Sequence, residues 1–216
     1  MNVIYENQFG FRKSHSTSHA VNYSINHILK EIEAKNHVIG IFIDLSKAFD
    51  TIDHKKLLIK LENYGIRGVC YDLLKSYLTN RTQFTTFQHT ESDPCLIEYG
   101  VPQGSVLGPL LFLIYINDIS NIDSASMANF VLFADDTNIF VSGKDENEAF
   151  ENANNVLNEV HQYKQTLITI QSSGEQCEWQ NNNFLLYNID GLRRSQTTYR
   201  VKVDYTYQNL EISQAR

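Results

Sequence analysis

The dipeptide Asp135-Asp136 lies between two apolar runs, and this pattern narrows the possible folds more than any other in the chain. Residues 130–141 read Phe-Val-Leu-Phe-Ala-Asp-Asp-Thr-Asn-Ile-Phe-Val, which is typical of two strands joined by a tight turn. Adjacent carboxylates repel each other, so they occur together mainly where a cation lies between them. For an isolated pair, an ordinary polar turn is the more common explanation, and that alternative stays open for the dipeptide alone.

A second acidic residue follows a second apolar run. Asp44 comes directly after residues 38–43, Val-Ile-Gly-Ile-Phe-Ile, which predict a central strand that is buried on both sides. If this strand and the hairpin belong to one sheet, Asp44 reaches the same edge as Asp135 and Asp136. The three acids then predict a phosphoryl-transfer site that holds two metal ions.

The composition is that of a globular protein. The chain has 216 residues, of which 42% are hydrophobic and 12% aromatic, enough for a packed core. It has no run of about 20 apolar residues and its first residues lack the pattern of a signal peptide, so we expect no membrane segment and an intracellular location, nucleus or cytoplasm. Three scattered cysteines do not predict a disulfide framework.

The charge distribution argues against unspecific coating of nucleic acid. The net charge is −7, whereas such binding depends on many Lys and Arg side chains. Residues 91–166 hold 2 basic and 12 acidic groups and include Asp135 and Asp136. A cation-binding centre tolerates this concentration of acids, although most of them are expected on the solvated face of a helix.

Hydrophobic periodicity predicts alternating helices and strands, hence an α+β fold. Ser16 or Ser18 is a candidate N-cap of the first helix, and Asp53 is a candidate N-cap of a helix that Gly65 ends. Predicted helices cover residues 16–36, 57–64, 73–78, 110–119 and 145–164; predicted strands cover 38–43, 82–88, 95–100, the hairpin 130–141, 184–189 and 199–207.

Four segments, taken in order, resemble the reverse transcriptases of non-LTR (LINE-type) retrotransposons. They are Gln8-Phe9-Gly10-Phe11-Arg12-Lys13, Phe42-Ile43-Asp44-Leu45-Ser46-Lys47-Ala48-Phe49-Asp50, Gly100-Val101-Pro102-Gln103-Gly104-Ser105 and Phe133-Ala134-Asp135-Asp136. The resemblance covers about residues 6–162. It implies a polymerase palm, an antiparallel sheet covered by helices on one face, over residues 38–164. Residues 1–37 are then partial fingers, and 165–216 are an unmatched tail, disordered or frameshifted.

The resemblance implies an RNA-directed DNA polymerase that extends a DNA primer on an RNA template with deoxynucleoside triphosphates. Asp44, Asp135 and Asp136 are then the catalytic carboxylates, and they hold two Mg²⁺ ions together with the backbone carbonyl of Leu45. Mn²⁺ is a possible substitute. Carboxylate and phosphate oxygens are the ligands that Mg²⁺ prefers, which agrees with this assignment.

Three further residues are implied to contact the nucleotide. Phe49 matches an aromatic gate that packs under the deoxyribose, while an ordinary core phenylalanine is the alternative. Gln103 and Gly104 match a loop under the template base, and a tight turn before the next helix is the alternative.

Phe11, Arg12 and Lys13 match a segment near the template. An aromatic ring beside two cations can stack on bases and pair with phosphates, although such a triplet is as often plain surface.

Two other hypotheses compete with the polymerase. Upstream fingers, a thumb and an endonuclease domain are not recognised in the sequence, which suggests a truncated and inactive retroelement relic whose exposed apolar surfaces bind partners or aggregate. A metal-dependent nuclease would use similar carboxylates. Oligomeric state and template specificity are not indicated by any pattern.

Overall fold

The computed structural model describes residues 3–45, 47–167, 185–188, 198–204 and 209–214. Its five α-helices in these ranges are α1 Thr17–Glu33, α2 His54–Asn63, α3 Val69–Leu78, α4 Leu107–Ile116 and α5 Glu146–Leu167. The strands are β1 His37–Ile43, β2 Arg81–Gln83, β3 Thr86–Phe87, β4 Thr90–Glu91, β5 Cys95–Ile97, β6 Ala128–Phe133, β7 Asp136–Gly143, β8 Leu185–Asn188, β9 Thr198–Asp204 and β10 Asn209–Gln214.

Side-chain caps start two of the helices as predicted. The Ser16 hydroxyl accepts a hydrogen bond from the backbone N–H of His19 at the start of α1. The Asp53 carboxylate accepts from the N–H groups of Lys55 and Lys56, at 2.8 and 3.1 Å, at the start of α2. Each cap satisfies backbone donors that the helix leaves unpaired, and is worth about 1 kcal/mol.

The main sheet has six strands in the order β10-β9-β8-β1-β7-β6, and all its neighbouring strands are antiparallel. Strand β1 lies inside the sheet, so its backbone is paired on both edges. Ile41, for example, lies opposite Ile139 of β7 and Leu186 of β8. The predicted central strand and the predicted hairpin are both confirmed.

Both faces of β1 are buried, as the sequence pattern of residues 38–43 predicted. Val38 and Ile39 point to opposite faces, yet their side chains are 0% and 2% exposed. On the Val38 face, Ala20 of α1 joins the apolar cluster that contains Phe140 and Val131. A strand with apolar side chains on both sides needs packed layers on both sides. The implied palm, with helices on one face of the sheet, stays a prediction.

The described chain divides into two compact units. One contains Lys47–Asn117 and Leu167, and therefore α2, α3, α4 and the four short strands β2 to β5. The other contains residues up to 45, Asp118–Thr166 and the strands near the C-terminus, and therefore the six-stranded sheet. The functional division at 1–37, 38–164 and 165–216 stays a prediction.

The predicted strand at 82–88 is instead two short strands in separate pairings. Strand β2 pairs with β5, whereas β3 pairs with β4 through a turn at Gln88 and His89. Both turn residues have positive φ, 45° and 64°, as a tight hairpin of this type requires. Neither is glycine, which explains why the sequence pattern did not reveal the turn.

Two strands predicted near the C-terminus are present. The predicted segments 184–189 and 199–207 correspond to β8 and β9, while β10 was not predicted. The predicted loop at 171–183 lies outside the described residues. Over the part of the chain that the structure describes, no helix has the length and apolar character needed to cross a membrane.

Tyr115 of α4 connects three parts of the first unit. Its hydroxyl accepts a hydrogen bond from the Asp53 N–H at 3.3 Å and donates to the Leu167 carbonyl. The Lys60 ammonium donates to the Tyr115 carbonyl at 2.7 Å. Burial raises the pKa of Tyr115 to about 12. The buried phenol is therefore part of the hydrogen-bonded core.

We predict that Tyr115→Phe lowers the free energy of unfolding by about 1–3 kcal/mol at pH 7, because two buried backbone groups lose their partner. Guanidinium unfolding measures this loss. Between pH 10 and 12 the unfolded parent ionises this phenol while the folded parent does not, so the parent loses stability there. The difference between parent and variant should consequently shrink over that range.

Tyr71→Phe on α3 is the matched control, since the Tyr71 side chain is only half-buried. It should change the unfolding free energy by less than about 0.5 kcal/mol. An equal loss in both variants would contradict the role given to the Tyr115 hydroxyl.

Candidate active site at the turn of the hairpin

The hairpin formed by β6 and β7 carries two of the predicted acids at its tip. Phe133 lies opposite Asp136, so Ala134 and Asp135 form a two-residue turn and Asp136 begins β7. The φ angle of Ala134 is 56°, in the left-handed region that tight hairpin turns require at this position. For a residue with a Cβ this conformation costs about 1–2 kcal/mol. The surrounding structure must therefore hold the turn in place.

The third acid reaches this tip through the register of β1. Ile43 lies opposite Thr137 of β7, and continuing the register by one residue places Asp44 opposite Asp136. Opposed residues of an antiparallel pair project to the same side of a sheet. Asp44 and Asp136 are exposed, and Asp135 is half-buried. The sequence-based expectation that the two segments meet at one edge of the sheet is confirmed at the level of the backbone.

The three carboxylates influence one another electrostatically. Partial burial raises the pKa of Asp136, and the negative charges of Asp135 and Asp44 raise it further. Over the described residues, however, no three or more His, Cys, Asp or Glu side chains form a group that could hold a metal ion. The three carboxylates therefore concentrate negative charge at the turn, but they do not form a complete set of metal ligands.

The turn is held by Gln8, a residue to which the sequence analysis assigned no role. The Gln8 side-chain oxygen accepts hydrogen bonds from the N–H groups of Gly10, at 2.8 Å, and Ala134, at 3.1 Å. Its side-chain nitrogen donates to the Ala134 carbonyl at 3.4 Å. The sequence signal that could have revealed this contact is the Gln-Phe-Gly spacing itself, because a glycine so close to a polar side chain suggests a close approach of backbones.

The predicted nucleic-acid residues differ in their surroundings. Phe11 is 59% exposed, and Lys13 is also exposed. In contrast, Arg12 donates through Nη1 to the carbonyls of Tyr5, Glu6 and Gln8 at 2.9, 3.1 and 3.0 Å. Arg12 therefore stabilises the N-terminal turn of the chain, whatever else it contacts.

The residues predicted to contact the nucleotide form their own group in the first unit. Phe49 is half-buried, and its ring packs against Phe112 with centroids 4.7 Å apart. The loop from Gly100 is tied to it, since the Val101 N–H donates to the Phe49 carbonyl at 2.9 Å. The Gln103 amide donates to the Asp50 carboxylate at 3.0 Å.

Two other predicted residues stand apart from these contacts. Gly104 has φ +77°, and no heavy atom lies within 4 Å of the position that a Cβ would occupy. Leu45, whose carbonyl is a predicted metal ligand, has a buried side chain directly after Asp44. Gly104 therefore has open space beside it, whereas Leu45 is held in place by its buried side chain.

The fold is similar to that of telomerase in solved structures. Telomerase from Candida tropicalis, in a structure truncated from its C-terminal domain, superimposes with a TM-score of 0.58 over 92% of this chain and 40% of that chain, at 9% identity. Telomerase from Candida albicans superimposes with a TM-score of 0.52 over 89% and 34%, at 12% identity. At such identities the likeness shows the fold alone, a mixed arrangement of helices and strands.

The sequence then identifies the family. The family model for "Reverse transcriptase (RNA-dependent DNA polymerase)" matches residues 1–173, and the chain belongs to this family. It is 35% identical over 152 residues to the probable RNA-directed DNA polymerase from transposon BS of Drosophila melanogaster, covering 68% of this chain and 17% of that protein. The mobile element jockey polymerase of the same fly is 33% identical over 143 residues, covering 63% and 15%.

These relatives confirm the predicted resemblance to LINE-type elements. The chain spans about a sixth of the length of the curated relatives that it matches. The alternative of an inactive relic has no support from the comparisons.

We predict that Asp136→Asn raises the stability of the metal-free protein at neutral pH, because it removes one charge from three that repel. Since the raised pKa of Asp136 means that ionisation disfavours the folded state, the gain should be present at neutral pH and vanish below about pH 3.8. Solvent screening limits it to less than about 1 kcal/mol. Thermal unfolding in EDTA measures the gain.

Asp93→Asn serves as the control, because Asp93 is an exposed acid of the other unit. It should leave the melting temperature unchanged. A lower stability of Asp136→Asn at neutral pH would show that the three carboxylates do not repel in the folded protein.

Proposed function

We propose that the chain is a polymerising core that adds deoxynucleotides to the 3′ end of a DNA primer on an RNA template, with Asp44, Asp135 and Asp136 as the catalytic carboxylates. One observation carries this proposal. Strand register brings Asp44 to the turn that carries Asp135 and Asp136, although the two segments are 91 residues or more apart. Partial burial raises the pKa of Asp136, and the charges of Asp135 and Asp44 add to that shift. Carboxylates that lie close together offer negative charge to divalent cations, and a polymerase of this family would use such cations.

The donor set fits Mg²⁺, with Mn²⁺ as a possible substitute. Mg²⁺ is usually bound by one or two carboxylates together with water and substrate phosphates, so a closed cage of three protein ligands is not required. Asp44, Asp135 and the Leu45 carbonyl supply the oxygen ligands in this proposal. When bound, two such ions would lower the pKa of the primer hydroxyl and neutralise charge on the leaving pyrophosphate.

The protein's own contribution is to hold the carboxylates in position. Asp44 follows a strand whose Ile41 and Ile43 are 0% and 3% exposed, and Asp136 begins a strand whose Ile139 is 0% exposed. Side chains at the ends of buried strands move less than side chains on loops, which favours a fixed spacing of the acids. Because the carboxylates repel before a cation binds, cation binding relieves an unfavourable interaction in the free protein.

The group around Phe49 is proposed to select and align the nucleotide. The packing of Phe49 against Phe112 gives the ring a fixed wall behind it, which a steric gate against a ribose 2′-hydroxyl needs. Gln103, held by its hydrogen bond to Asp50, and Gly104, with open space beside it, are proposed to lie under the template base. Their hydrogen bond and free space support close approach of a nucleic-acid strand.

The exposed ring of Phe11 and the ammonium of Lys13 are proposed to contact the template strand. A base can stack on the ring, and a phosphate can pair with the ammonium. Arg12 contributes mainly by fixing the turn from which its two neighbours project.

We predict that Asp44→Asn and Asp135→Asn each reduce primer extension on poly-rA with oligo-dT by at least about a hundredfold in Mg²⁺, because metal ions contribute several kcal/mol to such a transition state. The fold should survive, since both side chains are at least partly exposed. Circular dichroism verifies the fold and radiolabelled extension measures the rate.

Asp123→Asn is the matched control, an exposed acid of the same unit that should leave the rate unchanged. Extension by Asp135→Asn at the parental rate would refute the assignment of the acids. Shortening of the primer in place of extension would identify a nuclease.

We predict that Phe49→Val relaxes sugar selectivity, because a smaller side chain leaves room for a 2′-hydroxyl. The preference for dTTP over UTP, measured as the ratio of kcat/KM values, should fall about tenfold or more. Phe84→Val provides a control, since Phe84 is 54% exposed and lies in the same unit. Unchanged selectivity in Phe49→Val would leave this ring as an ordinary core residue.

A further inference from the structure

The side chain of Gln8 is almost completely buried, 1% exposed, and it contacts the turn that carries the hairpin acids. We propose that Gln8 is a positioning residue: its amide clamps Ala134 and thereby sets the direction of Asp135 and Asp136 toward the cations. This inference rests on the proposed function, since it concerns the geometry of the same carboxylates. It gives the Gln-Phe-Gly segment a role inside the site.

The clamp binds both polar groups of one turn residue. In a two-residue hairpin turn the N–H and carbonyl of the first turn residue have no partner in the strand ladder. Gln8 supplies both partners, because its oxygen accepts from the Ala134 N–H at 3.1 Å and its nitrogen donates to the Ala134 carbonyl at 3.4 Å. A side-chain amide that bonds both peptide groups flanking one residue fixes the orientation of that residue as well as its position.

The backbone around Gln8 fixes the clamp relative to the hairpin. The Phe9 N–H donates to the Leu132 carbonyl at 2.7 Å, and the Leu132 N–H donates to the Asn7 carbonyl at 2.9 Å. These bonds form a parallel bridge between the N-terminal segment and β6. The Phe9 ring is buried in the same cluster as Val131. The amide therefore acts from a rigid support.

Gly10 explains why the segment can come so close. A Cβ built on Gly10 would lie 2.2 Å from the Ala134 nitrogen and 2.9 Å from the Ala134 Cα. Any other residue at this position would push the segment away from the turn. The Gly10 N–H also donates to the Gln8 oxygen at 2.8 Å, which orients the amide.

The clamp opposes two effects that would relax the turn. Ala134 is held at φ 56°, and the turn that contains it carries Asp135 next to Asp136, whose charges repel. Both the strained backbone and the repulsion favour relaxation of the turn. Hydrogen bonds to both sides of the Ala134 residue oppose that relaxation, so their loss should redirect the carboxylates while the strands stay paired.

Gln8→Met tests the proposal, because methionine has a similar length and cannot form the three hydrogen bonds. We measure amide hydrogen exchange by NMR, Mn²⁺ affinity by electron paramagnetic resonance, and kcat and KM for primer extension.

The Ala134 and Gly10 amides should exchange about tenfold faster or more, while amides within β1 and β7 keep their protection. Mn²⁺ should bind about fivefold more weakly or worse. The kcat value should fall by up to about a hundredfold with KM for dTTP nearly unchanged.

Ser124→Ala is the matched control in the same unit. Ser124 is 4% exposed, and its N–H and hydroxyl both bond the Glu159 carboxylate. The substitution should lower the melting temperature about as much as Gln8→Met does, without changing Ala134 exchange or Mn²⁺ affinity. Gly10→Ala is a second test, since it should accelerate Ala134 exchange although Gln8 is intact.

The outcomes separate this inference from the proposed function. If Gln8→Met keeps both the parental Ala134 protection and the parental Mn²⁺ affinity, the clamp does not exist in solution and the inference is overturned. If Ala134 exchange accelerates but the parent binds Mn²⁺ no better than Asp135→Asn does, the metal site of the proposed function is refuted and the positioning role with it. If Gln8→Met does not fold and loses all protection, Gly10→Ala decides the test. Unchanged exchange of the Ala134 amide in Gly10→Ala then overturns the inference.

Discussion

The antiparallel pairing of β1 with β7 is the constraint on which the candidate site depends. The register that sets Ile43 opposite Thr137 also brings Asp44 to Asp136, and this approach of like charges is unfavourable. Burying one Ile or Val side chain stabilises the fold by about 1.5–3 kcal/mol, whereas repulsion between partly exposed carboxylates costs less than about 1 kcal/mol. The apolar faces of the two strands therefore outweigh the repulsion and determine where the carboxylates lie.

Two kinds of support then hold the acids. Buried strands fix Asp44 and the start of β7, while the turn itself depends on contacts from the N-terminal segment through Gln8 and Gly10. Strained backbone and repelling charges at one place, stabilised by the surrounding packing, are common at functional sites. The chain spans about a sixth of the length of its relatives, and the three candidate carboxylates all lie within residues 3–45 and Asp118–Thr166.

The surroundings of Phe49 show how an ordinary packing contact and a functional contact can coincide. Its ring packs against Phe112 as a core phenylalanine would, and the same packing would give a gate its rigidity. The loop that starts at Gly100 approaches so closely that a Cβ there would lie 3.0 Å from the Asp50 Cα. Sugar selectivity separates the two roles of Phe49.

Local sequence patterns were sufficient for most helices, the central strand and the hairpin. The caps at Ser16 and Asp53, the buried run before Asp44 and the two apolar runs around the acids all act within a few residues, so periodicity and capping reveal them. Patterns failed at the hairpin turn of Gln88 and His89, where the backbone adopts positive φ without glycine.

The remaining features depend on residues that are distant in the chain. Gln8 and Ala134 are separated by 126 positions, and no local pattern connects them. The approach of Asp44 to Asp136 likewise follows from the register of whole strands. Hydrogen bonds within a turn or cap are encoded by neighbouring residues, but the register between strands is selected by the total apolar surface that they bury together.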